Sequence, residues 1–91
     1  MREITDEKLK KYFEITKEAL DKAKAAEKTD GRADDFLDMA ERYYNDAKHF
    51  KSKGDFVLAF AALNYAHGWL DAGARAGFYK VKDSRLFTVD D

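Results

Sequence analysis

The chain contains no cysteine and no proline. Without cysteine there is no disulfide, no thiolate zinc site and no cysteine nucleophile. Without proline nothing breaks a long helix from within, so turns fall to the five glycines, which are scattered singly. A surplus of one charge is missing as well, with 17 Lys and Arg against 18 Asp and Glu. Dedicated nucleic-acid binders and proteins of anionic membrane surfaces usually carry a basic excess, so neither class is expected. The longest uncharged stretch, Phe56 to Leu70, includes Asn64, His67 and Gly68. It is too short and too polar to span a bilayer, which takes roughly 20 apolar residues. Met1 to Lys11 is charged throughout and does not read as a signal peptide, so a cytoplasmic location is the expectation.

The residues present suit a thin but real globular core. Hydrophobic residues make up 45% and charged residues 38% of 91 positions, the length of a single domain spanning 1–91. Leu9, Phe13, Thr16, Leu20 and Ala23 recur at spacings of four and three, which predicts an amphipathic helix over about 6–28 capped by Thr5. Gly31 is expected to make the first reversal in a left-handed conformation. Phe36, Leu37, Ala40, Tyr43, Tyr44, Ala47 and Phe50 mark a second helix over about 33–52, acidic at its start and basic at its end. Of the adjacent Tyr43 and Tyr44, one is expected to enter the core and the other to sit at its edge. Gly54 then suits the position just past that helix, and Asp55 the N-cap of a third over about 56–76. The third helix carries only Asp71 and Arg75 as formal charges and is crowded with alanine and glycine. Such a helix is buried on more than one side. Gly77 ends it, and 78–91 reads as an extended tail docked on the bundle, with Asp90 and Asp91 frayed. The fold class predicted is therefore all-α: a three-helix antiparallel up-and-down bundle with an extended C-terminal tail. Trp69, Leu20, Phe36, Ala40, Leu63 and Ala66 are expected in its core.

Four segments together carry a family resemblance. They are Arg32-Ala33-Asp34, Tyr44-Asn45-Asp46-Ala47, Gly54-Asp55, and the run from Ala59 to Ala72 that includes Asn64-Tyr65-Ala66-His67-Gly68-Trp69. The chain resembles, over roughly residues 9 to 89, a family of small archaeal proteins catalogued as domain of unknown function 357. The resemblance implies a three-helix bundle in an archaeal cytoplasm. It brings no activity, ligand or catalytic residue to carry over.

The sequence offers little conventional chemistry. There is no glycine-rich phosphate loop, no nucleophile elbow, and no His-x-x-x-His or Glu-x-x-His pair for a helical metal site. No metal and no cofactor is therefore expected, and a small-molecule ligand is left open. Arg42 and His49 share a face of the second helix at the spacing that some helical ribonucleases use on a scissile phosphate. A small RNA-processing or nuclease-like enzyme is accordingly the alternative reading. The acidic group Asp34, Asp35 and Asp38 is simplest as complement to the helix dipole. On the third helix Asn64, His67, Asp71 and Arg75 fall within an arc of roughly 80° with Phe60 in its middle. An apolar residue rimmed by polar groups marks a contact surface. Phe60, Asn64, His67, Asp71 and Arg75 are thus the candidate partner-binding residues, to be covered by the tail, a second copy or another protein. The leading expectation is a non-enzymatic helical protein-interaction module able to self-associate.

Overall fold

A computed structural model describes residues 4–89. Three helices account for most of them: α1 (Asp6–Ala25), α2 (Arg32–Ser52) and α3 (Phe56–Arg75). They form an all-α three-helix bundle in which α3 packs more extensively on α2 than on α1, and α1 and α2 touch least. Asp90 and Asp91, read above as a frayed end, lie outside the described residues.

Local chemistry explains most of the boundaries. The Thr5 hydroxyl accepts a hydrogen bond from Lys8 N at 3.1 Å, and Asp55 Oδ1 accepts one from Leu58 N at 3.1 Å. Each satisfies an amide that a helix start leaves without a partner. α2 and α3 end alike. Gly54 (φ +78°) donates to Lys51 O while Asp55 donates to Phe50 O; Gly77 (φ +76°) donates to Ala74 O while Phe78 donates to Gly73 O. This paired bonding around a left-handed glycine is the Schellman motif.

The first reversal departs from expectation. α1 stops at Ala25, and Gly31 sits in the ordinary helical region at φ −62°. The cause is long-range. Ala26 is extended, and residues 27–29 pair with the tail instead of continuing the helix. Thr29 N donates to Phe78 O at 2.8 Å, Lys80 N donates to Glu27 O at 3.0 Å, and Lys28 and Tyr79 form an isolated antiparallel bridge. The turn is spread over several residues, so none needs a left-handed conformation. Asp30 holds its end, accepting from the backbone and guanidinium of Arg32. Those bonds lower its carboxyl to about 2.

The core has two parts. Leu9, Phe13, Ala47, Ala59, Ala62 and Leu63 fill the end near the α2–α3 turn. Ala19, Leu20, Ala23, Leu37, Ala40 and Leu70 fill the other end, together with Phe78, Tyr79, Leu86 and Phe87 from the tail. Leu20, Ala40, Leu63 and Ala66 are buried as expected, whereas Trp69 and Phe36 are only half-buried. Their rings meet edge-on at 5.0 Å on the outer side of the α2–α3 seam. Phe78 of the tail meets the Phe36 ring from another side, also edge-on at 5.0 Å. Tyr44 packs against both core clusters, and Tyr43 stacks on Tyr65 at 4.4 Å along the same outer seam. Both tyrosines are half-buried, so neither enters the core fully.

Candidate functional site

α3 presents three faces. Ala59, Ala62, Leu63, Ala66, Leu70, Gly73 and Ala74 point into the core. The adjacent arc holds the five residues singled out above, and the structure divides them. Phe60 turns toward α1, its ring 4.9 Å from that of Tyr12 with Lys8 above it. Asn64 is exposed. His67, Asp71 and Arg75 are met by the chain's own tail.

That meeting is specific. Asp71 accepts from Thr88 through both carboxylate oxygens, from the backbone amide at 2.8 Å and from the hydroxyl at 3.0 Å. Arg75 Nη1 reaches Thr88 O at 3.4 Å. His67 is bound on both nitrogens, Nε2 to Leu86 O and Nδ1 to the Thr16 hydroxyl at 3.4 Å. A carbonyl only accepts, so Nε2 carries a proton and donates. The Asp71 pairings with His67 and Arg75 that helical spacing allows give way to the tail. Among the described residues three ion pairs tie the tail to α1 and the segment after it: Lys80 with Glu27 at 2.9 Å, Lys22 with Asp83 at 2.9 Å, and Arg85 with Glu18. Arg85 holds the Glu18 carboxyl below its ordinary value, and Lys22 does the same for Asp83. Between the tail and α3 lies a groove of about 390 Å³, lined by His67, Asp71, Arg75, Arg85, Thr88 and their neighbours.

Tyr79 locks the start of the tail. It is 2% exposed and its hydroxyl donates to Leu70 O. Burial pushes its phenol well above the usual tyrosine value, with the charge of Asp71 adding to the shift.

The third face of α3 is open. Leu58, Ala61, Tyr65, Gly68 and Ala72 recur at spacings of three and four, within an arc of about 80°. Leu58 is 46% and Tyr65 58% exposed, with Val57 at 68% beside them. A shallow, almost wholly apolar groove of about 430 Å³ runs between Tyr65, Gly68, Trp69 and Ala72. Trp69 Nε1 is shielded from solvent and makes no hydrogen bond among the described residues. The sequence reading missed this face. Its spacing was visible, but on a helix apolar almost all round nothing local says which stripe meets the core.

Arg42 and His49 are both exposed on α2, and Arg42 is tied to Asp38 at 2.9 Å. Neither lines either groove on α3. Among the described residues no three His, Asp or Glu side chains gather as a metal site would require. Among the described residues no helix is long and apolar enough to cross a membrane.

The profile of a family described as protein of unknown function (DUF357) matches residues 11–79. The chain belongs to the DUF357 family. The match covers all of α2 and α3 and most of α1, and it ends at Tyr79, the residue that locks the tail onto α3. The α3 wall of the tail cleft, His67, Asp71 and Arg75, thus lies inside the matched part of this DUF357 member, and its tail wall, residues 84–89, lies beyond it. Comparison with curated proteins and with solved structures gave no match.

Proposed function

We propose that this protein is a non-enzymatic helical interaction module that works through the open face of α3. One observation carries the reading: Leu58 and Tyr65 stand out from a helix face that bears no charge, beside half-buried Trp69. Apolar surface gathered in one stripe, and not scattered, is characteristic of contact surfaces. Aromatic residues line its edge, in keeping with the composition of such surfaces.

The test is hydrodynamic size in two settings. The tagged protein is sized in native extract and again after purification, alongside a Leu58→Lys/Tyr65→Lys variant. An interaction module runs larger than its 10.5 kDa in at least one setting, and the variant does not. If both proteins run as single chains everywhere, the reading is wrong. Labelled RNA is the companion assay. Cleavage lost in both Arg42→Ala and His49→Ala would replace the module with a nuclease.

A further inference from the structure

We infer that the occupant of the open α3 face is a second copy of the same chain, packed antiparallel about a two-fold axis near Tyr65. The inference rests on the reading of that face as a docking surface and names its partner.

Shape is the first argument. On either side of Tyr65 the face is uneven: bulky Leu58 lies toward the N-terminal end of α3, and the small residues Gly68 and Ala72 toward the other. A Cβ placed on Gly68 would find nothing within 4 Å, so the depression there is open. An antiparallel pair centred on position 65 sets Leu58 against the partner's Ala72 and Gly68, and does so twice. A two-fold contact uses one patch on both subunits, so it needs this self-complementarity.

Charge is the second argument. The face bears no charge along its length, so two copies meet on it without burying one, and the helix dipoles favour the antiparallel arrangement.

Area is the third. α3 has 20 residues and is about 30 Å long. With the outer flank of α2, where Phe36 and Tyr43 pack on Trp69 and Tyr65, the face is roughly 20 Å wide. About 600 Å² per protomer reaches the lower end of specific interfaces, which describes a reversible dimer. The chain's own tail is not the occupant, because it docks on the neighbouring arc at His67 and Asp71.

The absence of native cysteine makes the test clean. Tyr65→Cys should oxidise to a disulfide-linked dimer. Leu58→Cys mixed with Ala72→Cys should cross-link to each other far more than either does to itself. In sedimentation the parent should shift from monomer to dimer as concentration rises. Ala72→Glu should weaken the dimer by about tenfold or more through an unpaired charge in the contact, with monomer helicity and melting unchanged. A purified parent that stays monomeric throughout overturns the inference. So does a dimer indifferent to Ala72→Glu, or a Leu58→Cys variant that cross-links chiefly to itself. A protein monomeric when purified but large in extract would sink the inference while leaving the docking surface standing.

Discussion

The ring of Tyr79 occupies the space that any side chain at position 73 would need. A Cβ on Gly73 would collide with the Tyr79 hydroxyl oxygen and lie 2.6 Å from its ring edge. The hydroxyl also donates to Leu70 O one turn earlier on α3. Gly73 and Tyr79 are thus one device, a notch in a helix and the ring that fills it.

Gly73→Ala should therefore destabilise the protein by about 1–3 kcal/mol through overpacking, although alanine is the better helix former by roughly 1 kcal/mol. Gly68→Ala, with open space around it, should be stabilising by up to about 1 kcal/mol in the monomer. Urea denaturation at low protein concentration gives both signs. Equal effects at the two glycines would show that the notch is not needed.

Tyr79→Phe keeps the ring in the notch and removes only the hydrogen bond. The expected loss is about 0.5–1.5 kcal/mol. Tyr79→Ala should cost about 3–5 kcal/mol, as removal of a fully buried aromatic ring usually does. The difference between the two, measured in the same denaturant series, separates ring packing from hydrogen bonding.

Asp71→Ala should release the end of the tail without unfolding the bundle. Both oxygens that hold Thr88 disappear, and roughly 1 kcal/mol of docking goes with them. Trypsin should then cut after Arg85 about fivefold faster, while the helical circular dichroism stays as in the parent. Arg42→Ala, on exposed α2 surface, serves as the control and should leave the cutting rate unchanged.

Docking of the tail should also weaken in acid. Glu18 and Asp83 have lowered values in the docked state, so their contribution is fully present above the ordinary 4.5 and 3.8. It fades as pH falls below those values and through the lower docked ones. Amide NMR signals of Leu86 and Phe87 should move toward unstructured positions over that range, before signals from α2 do. High salt at neutral pH should act in the same direction, since these pairs are exposed and screened. A tail whose signals move only together with α2 would show that the ion pairs do not fasten it.

Much of the fold was legible because its signals are local. Thr5, Gly54, Asp55 and Gly77 do what their chemistry dictates within three or four residues of themselves. The end of α1 was not legible, because the pairing of residues 27–29 with Phe78 and Lys80 is invisible to periodicity. Trp69 and Phe36 were placed too deep for a related reason: hydrophobicity says that a ring avoids water, not how many layers cover it. At the candidate site, the shared arc of His67, Asp71 and Arg75 followed from spacing alone. That Asp71 would answer to Thr88 and not to its helical neighbours depended on where the tail returns. Phe60 was grouped with them by angle, but it lies near the opposite end of α3, where Tyr12 of α1 claims it.

The clasp between residues 27–29 and the start of the tail constrains the order of assembly. Thr29 donates through its hydroxyl to Gly77 O, 48 residues away, and through its amide to Phe78 O. Closing a loop of that size carries an entropic cost that no single hydrogen bond offsets. α2 and α3 share a tight turn and the largest interface, so they can find each other early and carry Gly77 back to the end of α1. On that order the clasp is expected to close last, as a latch on a finished hairpin. Thr29→Val, which removes the hydroxyl bond, should leave the refolding rate nearly unchanged and speed unfolding, so that its whole effect appears in how long the native state survives.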